Sequence, residues 1–283
     1  MILVTGATGT IGGETLRLLS ARGERVRAMA REPSRVPALP GVDAVRGDFD
    51  DLGSLAEAAA GVDTLFLLSA PGPAIIRHDE AMLAAARAAG VRKAVKLSAI
   101  GTGEQSDSKV TDWHLPGEEA LRSTGVEWTV LRPSSFASNS LRWAAPIRSG
   151  HPIPNMTGTG TQGVIDPRDV AEVAVRALTS GDFAGGVLTL TGPELLSVPD
   201  MVECLGEVLG RGLEAVDVPL ELYRQRLLAA GQDAAFADTA VNGADLVARG
   251  GNARLTPDVE KALGRPPRTY GTWARDHRTA FTA

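Results

Sequence analysis

The chain has 283 residues, 43% of them apolar and 22% charged, which suits one large α/β domain or a nucleotide domain with a smaller companion and excludes a disordered or fibrous protein. A net charge of −5, with basic residues scattered rather than clustered, argues against nucleic acid or an anionic membrane as the main partner. The single cysteine, Cys204, allows no intramolecular disulfide and fits a reducing compartment, so a cytoplasmic protein is expected.

Residues 1–5, MILVT, read at once as a buried β-branched strand, so no leader peptide is expected ahead of the fold. This strand runs into Gly6-Ala7-Thr8-Gly9-Thr10-Ile11-Gly12, and a helix follows with Leu16 and Leu19 on one face and Gly23 as its terminator. RVRAMA at 25–30 supplies a second strand. Each glycine has its own task. Gly6 permits the tight turn off the strand, Gly9 lets the backbone approach a pyrophosphate, and Gly12 lets the helix lie close to the sheet. Phosphates would then sit on the free N–H groups at the positive end of the helix. The residue closing the second strand chooses between cofactors, an acid for the NAD ribose or an arginine for the NADP 2′-phosphate. Arg31 stands there, with Ser34 and Arg35 behind it and Glu32 one place too late, so NADP(H) is preferred over NAD(H).

The alternation continues with a third strand at 41–49 ending in Asp48-Phe49, a short helix, and a fourth strand at 62–71 closed by Pro71-Gly72-Pro73. A helix over 74–89 has Ile75, Ile76, Met82 and Leu83 for its buried face; a fifth strand spans 91–101. A helix near 116–124, a sixth strand at 125–136, a helix within 163–178 and a seventh strand at 185–192 complete the series. Strands alternating with helices predict a doubly wound parallel Rossmann sheet. Beyond about residue 193 helices dominate, at 197–210, 220–231 and 257–264. The expected division is therefore a dinucleotide-binding domain of 1–133 plus about 164–192, and a mostly helical substrate cap of about 134–163 plus 193–283. Trp143, Met156, Leu220, Tyr223, Leu227 and Phe236 are available to line the cap. TLFLLSAP at 64–71 is far short of the ~20 residues of a membrane span. His78, His114, His151 and His277 show no ligand spacing, and no metal is expected.

TGATGTIG, RGDFDD, FLLSAP, VKLSAIG, HLPGEEALRSTGVEWTVLRPSSF, DPRDVAEVAVRAL and LTPDVEKALGRPPRT occur in that order over most of the chain. Together they resemble the extended or atypical branch of the short-chain dehydrogenase/reductase superfamily, more narrowly its NmrA-like and type-2 quinone oxidoreductase group. The resemblance implies that Thr8, Gly9, Thr10 and Ile11 contact the pyrophosphate and that Asp48 and Phe49 flank the adenine. It also implies that Leu68, Ser69 and Ala70 line the adenosine side and that Pro133, Ser134 and Phe136 border the nicotinamide.

Enzymatic members of that superfamily use Ser, Tyr and Lys. Ser98 stands where the resemblance puts the serine, but the only tyrosines, Tyr223 and Tyr270, precede Leu227 and Ala274 by four residues, so the Tyr–Lys pair is missing. Counted back from TVLRP, His114 and Glu118 occupy its places. A histidine with a carboxylate one turn away can act as a general acid. Pro116, however, suits a helix first turn, which would leave His114 at the helix N-terminus, where the dipole weakens it as a proton donor. A third route needs no protein acid, because hydride addition to a quinone, or to a carbonyl beside an internal phenol, leaves a stabilised anion or an internally supplied proton. Orientation of the substrate then supplies much of the acceleration, with Ser98, Ser134 or water bonding the oxyanion.

The expected activity is an NADPH-dependent reduction of a carbonyl or quinone on a bulky, aromatic or polyketide-like small molecule. The competing expectation is an NADP-sensing NmrA-like regulator without turnover. Either would be a monomer or homodimer with a small-molecule partner, no nucleic acid and no membrane.

Overall fold

The computed structural model describes residues 1–104 and 112–282. In chain order the elements are β1 (Ile2–Val4), α1 (Thr10–Ala21), β2 (Val26–Ala30), β3 (Val42–Arg46), α2 (Leu52–Ala59), β4 (Thr64–Leu67), α3 (Ile75–Ala88), β5 (Lys93–Leu97), α4 (Leu115–Ser123) and β6 (Glu127–Pro133). Then come α5 (Ala144–Arg148), β7 (Ile153–Asn155), β8 (Gln162–Gly163), α6 (Pro167–Thr179) and β9 (Gly186–Leu190). They are followed by β10 (Leu195–Leu196), α7 (Val198–Leu209), β11 (Ala215–Asp217), α8 (Leu220–Ala229), α9 (Ala234–Ala248), α10 (Asp258–Leu263) and α11 (Tyr270–Asp276).

These elements form two compact units. The first takes Met1–Gly103, Asp112–Arg132 and Pro167–Thr189. Its seven-stranded sheet has the order β3-β2-β1-β4-β5-β6-β9, the Rossmann-like arrangement expected from the alternation. β1 to β6 pair in parallel, and Ile2 aligns with both Val26 and Thr64, Thr64 with Lys93, and Lys93 with Glu127. The central strands β1 and β4 are near-continuous apolar runs because both faces are covered, whereas the edge strand β3 has no buried residue. Leu3, Leu65, Leu67, Ala94 and Val130 pack with Leu55 of α2, Met82 and Leu83 of α3 and Leu121 of α4. The alternate residues Val4, Phe66, Val95 and Leu131 are also fully buried, while α1 and α6 pack on each other. On α3, Ile75, Met82 and Leu83 are buried and Ile76 is half-buried, but the same face also buries Asp79.

The second unit takes Glu104, Pro133–Asp166 and Leu190 onwards. Helices dominate it, joined by two minimal sheets, β8 with β10 antiparallel and β7 with β11 parallel. α7 starts in a reciprocal cap in which Ser197 and Asp200 bond each other's backbone N–H. Its core gathers Ile147, Ile153, Met201, Val202 and Leu205 with Tyr270, Trp273 and Phe281. The Tyr270 hydroxyl donates to Ser140 Oγ at 2.8 Å, which satisfies the one polar atom that this ring buries. α9, α11 and the minimal strands were not among the expected elements.

Candidate functional site

β1 delivers the chain to Gly6, whose φ of +58° is open to glycine and strained for other residues. The turn is held by Gly9 N–H donating to Gly6 O at 2.9 Å. A Cβ on Gly12 would stand 2.2 Å from Gly6 O and 2.8 Å from its carbonyl carbon, so only glycine lets α1 begin this close to the turn. The α1 N-terminus has Gly9 as its N-cap, no side-chain cap and no acid in its first turn. Its first-turn N–H groups therefore keep their positive field for an anion. Gly6, Thr8, Gly9 and Thr10 are exposed, whereas Ile11 and Gly12 are buried. At the neighbouring strand end, Leu68 N–H donates to Thr5 Oγ1 at 2.7 Å and Thr5 Oγ1 donates back to Leu68 O at 2.9 Å. That exchange locks the tips of β1 and β4 together at the point where strand order reverses, the position at which such sheets bind ligands.

The remaining predicted cofactor residues of this unit lie along the same edge. Arg31 directly follows β2, and Arg31, Ser34 and Arg35 are all exposed. Asp48 and Phe49 are half-buried behind β3, and Phe49 stacks on His78 with ring centroids 5.0 Å apart and planes 16° apart. Both His78 ring nitrogens are buried without a hydrogen bond, Nε2 lying 3.5 Å from Asp50 Oδ1. Ser69 donates to Asp79 Oδ1 at 2.6 Å, and Ala70 is exposed. In the second unit Pro133 and Ser134 are buried and Phe136 is half-buried. Ser134 N–H bonds Leu190 O, but its Oγ is buried without a partner.

Around β5 the structure brings together two charge clusters. Ser98 and Glu118 are both buried, and Ser98 Oγ donates to Glu118 Oε1 at 2.6 Å. Glu118 also accepts from Arg132 Nε at 2.9 Å, Arg132 Nη2 at 2.7 Å and Arg122 Nη2 at 2.6 Å. Burial pushes its carboxyl up, but the bonds from Arg132, Ser98 and Arg122 outweigh that and hold it below the ordinary value. Glu118 is thus an anion with its acceptor sites filled, tying β5, α4 and β6 together. The second cluster was not foreseen. Lys96, 1% exposed, is ion-paired to Asp79, which is fully buried and also holds Ser69.

His114 is the N-cap of α4, so the helix starts at Leu115, one residue before Pro116. Asp112 prepares this end, its Oδ1 accepting from the N–H groups of His114 at 3.2 Å and Leu115 at 3.1 Å. His114 and Glu118 are joined through the helix backbone, Glu118 N–H to His114 O at 3.0 Å, and not through their side chains. The side-chain dyad suggested by their spacing does not form, because Ser98 and the two arginines occupy the carboxylate. Nδ1 of His114 is buried without a partner. Burial and the nearby Lys96 charge, opposed in part by Glu118, lower its pKa to about 3, so the ring is neutral at physiological pH.

α4 can close over Asp79 only through Gly117, where a Cβ would lie 2.3 Å from Asp79 Oδ2. Gly117→Ala is therefore expected to destabilise the chain by about 1–3 kcal/mol, although alanine is the better helix former. Urea unfolding checks this; unchanged or increased stability would contradict the packing described.

A family model described as NAD(P)H-binding matches residues 6–181, which include the glycine turn, β5 and α4. The chain belongs to the NAD(P)H-binding family. Solved structures that share its fold include a quinone oxidoreductase and NmrA, in accord with the resemblance noted in its motifs. This NAD(P)H-binding chain is 37% identical over 283 residues to the (4-alkanoyl-5-oxo-2,5-dihydrofuran-3-yl)methyl phosphate reductase of Streptomyces griseus, covering 99% of each. It is 32% identical to the NAD(P)H azoreductase of Xenophilus azovorans, covering 100% of both. The solved NADPH-dependent quinone oxidoreductase of Escherichia coli, in complex with NADPH, shares its fold at a TM-score of 0.85 and 23% identity, over 99% of this chain and 100% of that one. The expected NAD(P)H-dependent oxidoreductase activity agrees with the names of these relatives. Among the described residues no helix is long and apolar enough to cross a membrane, and no acid, histidine and cysteine group could hold a metal.

Proposed function

We propose that the chain is an NADPH-dependent reductase that delivers hydride to a carbonyl or quinone of a bulky, aromatic or polyketide-like small molecule without a tyrosine–lysine acid pair. The observation that carries this reading is the uncapped N-terminus of α1 above a turn that admits no side chain at Gly12. Backbone N–H groups of Thr10, Ile11 and Gly12, with Thr8 and Gly9 beside them, would hold the pyrophosphate. Arg31 and Arg35 would meet a 2′-phosphate, and Asp48, Phe49 and the Leu68–Ala70 segment would line the adenosine side. The bound reduced nicotinamide supplies the hydride.

The acceptor class follows from what the protein lacks. Glu118 and Ser98 are committed to each other, so neither has a proton ready to give. A 4-alkanoyl-5-oxo-2,5-dihydrofuran, an azo compound and a quinone, the groups in the names of the relatives, are all conjugated and electron-poor. Hydride addition to each leaves an anion spread over oxygen or nitrogen, which needs orientation more than it needs a strong acid.

Two measurements test the reading. NADPH consumption should appear with quinones and conjugated ketones and be far slower with isolated aliphatic ketones. Tight NADPH binding with no oxidation by any acceptor would instead establish an NADP-sensing regulator. Arg31→Ala should weaken NADPH by about 10- to 100-fold, the range of a lost charge-assisted bond, and leave NADH within about twofold. Equal effects on the two would overturn the NADP(H) preference.

A further inference from the structure

A lysine and an aspartate are withdrawn from water behind the glycine-turn edge of the sheet. Lys96 of β5 is 1% exposed and Asp79 of α3 is fully buried. Lys96 Nζ donates to Asp79 Oδ2, and Gly117 of α4 closes over that same oxygen. A pair of apolar side chains of similar volume would fill the place without the desolvation cost of two charges. What the ion pair offers that they would not is the other carboxylate oxygen. Asp79 Oδ1 accepts from Ser69 Oγ at 2.6 Å, so the one hydroxyl hydrogen of Ser69 is committed to the carboxylate. No other described residue hydrogen-bonds that hydroxyl, and Ser69 is only partly buried. Its remaining capacity is that of an acceptor. Ser69 is the second residue beyond β4, which adjoins β1 where strand order reverses. Leu68, just before it, lies against the glycine turn: a Cβ on Gly6 would stand 3.0 Å from Leu68 Cβ and 3.3 Å from Leu68 O. The exchange between Leu68 and Thr5 fixes that contact.

We propose that Asp79 and Lys96 are positioning residues of the dinucleotide site: they hold the Ser69 hydrogen inward, so that Ser69 accepts a hydrogen bond from a ribose hydroxyl of the bound dinucleotide. The proposal rests on the glycine turn being the dinucleotide site and is independent of which acceptor is reduced. Phosphate oxygens only accept, so an acceptor beside the turn gains nothing from the pyrophosphate, whereas the ribose hydroxyls on either side of it can donate. The two kinds of partner are thereby divided. The α1 N–H groups take the phosphates, and Ser69 takes the sugar. Donation to a carboxylate also polarises the Ser69 hydroxyl and strengthens its oxygen as an acceptor. Lys96 supplies the counter-charge that lets the carboxylate be used in a place closed to water.

Calorimetric titration with NADPH, and with NADPH analogues each lacking one ribose hydroxyl, tests the proposal without turnover. Ser69→Ala should weaken NADPH by about 3- to 10-fold, the range of one lost neutral hydrogen bond. One of the analogues should bind the wild type more weakly than NADPH by a similar factor, yet bind Ser69→Ala as well as NADPH does. If every analogue loses as much on Ser69→Ala as on the wild type, or none loses anything on the wild type, the acceptor role is overturned. The double variant D79L/K96M replaces the ion pair by apolar side chains, and its urea midpoint should be at or above that of the wild type. It should nevertheless bind NADPH about threefold or more weakly, and adding Ser69→Ala to it should cost clearly less than in the wild type. An equal cost in the two backgrounds overturns the positioning role of Asp79 and Lys96. Should D79L/K96M not fold, the near-isosteric D79N/K96M, whose amide can donate to Ser69 and free its hydrogen, is expected to give the same loss and the same coupling. A wild type that binds no NADPH removes the dinucleotide reading itself, whereas a wild type that binds it, with Ser69→Ala unchanged, removes this proposal alone.

Discussion

Glu118→Ala is expected to lose about 3–5 kcal/mol of stability, the range for removing one partner from a buried ion pair. The substitution leaves Arg132, 13% exposed at its side chain, without the carboxylate that takes two of its N–H groups, and leaves Arg122 and the buried Ser98 hydroxyl without their acceptor. Domains of this kind are stable by about 5–15 kcal/mol in total, so the variant should be close to unfolding at physiological temperature. The same carboxylate makes the chain acid-sensitive. Its pKa is held below the ordinary 4.5 in the folded state, so its contribution is complete above that value and is lost as pH falls below it. Urea titrations of wild type and variant at neutral pH give the comparison. A difference under about 1 kcal/mol would mean that the cluster behaves like a solvated surface pair.

Gly12→Ala is expected to abolish measurable dinucleotide binding and to destabilise the chain by about 1–3 kcal/mol or more. The added methyl meets backbone atoms only: Gly6 O, the Gly6 carbonyl carbon and Ala7 Cα at 3.1 Å. None of these is the end of a flexible side chain, so α1 must move away from the turn and its N–H groups move with it. Gly13 provides the control on the same helix, because a Cβ there meets only Ala7 O at an ordinary 3.7 Å. Gly13→Ala should be neutral or stabilising, by up to about 1 kcal/mol from helix propensity. Calorimetric titration with NADPH separates the two. Retained affinity in Gly12→Ala would remove the turn from the site.

The contrast between these two glycines shows what was legible in the sequence. The order of Gly6, Gly9 and Gly12 announced the turn, since a strand leading into GxxGxxG and a helix has few other uses, whereas Gly13 lies outside that spacing. The parallel strands were legible for a related reason: strands covered on both faces become short apolar runs, although β4 and β5 stop at Leu67 and Leu97, four residues before the expected 71 and 101. Glu118 was legible as a residue of interest but not in its role. Its partners come from 20 residues before it, just past the end of β5, and from 4 and 14 residues after it, on α4 and β6, so no local pattern links them. Lys96 and Asp79 were missed because a single lysine in a strand reads as an edge or surface position until its partner is seen. The neutral state of His114 depends on burial, which spacing does not encode; spacing suggested a proton relay where the fold supplies a desolvated ring. β7, β8, β10 and β11 are two or three residues long and carry no periodicity to read.

A single label-transfer experiment goes most directly to the central claim. NADPH deuterated at the transferable C4 position is incubated with the chain and a conjugated acyl-lactone or enone, and the product is analysed by NMR. The account predicts one deuterium on carbon of the product, at the former carbonyl carbon or at the carbon β to it, with the oxygen-bound or α-carbon hydrogen drawn from solvent water. Deuterium retained wholly in the nicotinamide, or a product formed without it, would contradict hydride transfer to a conjugated acceptor.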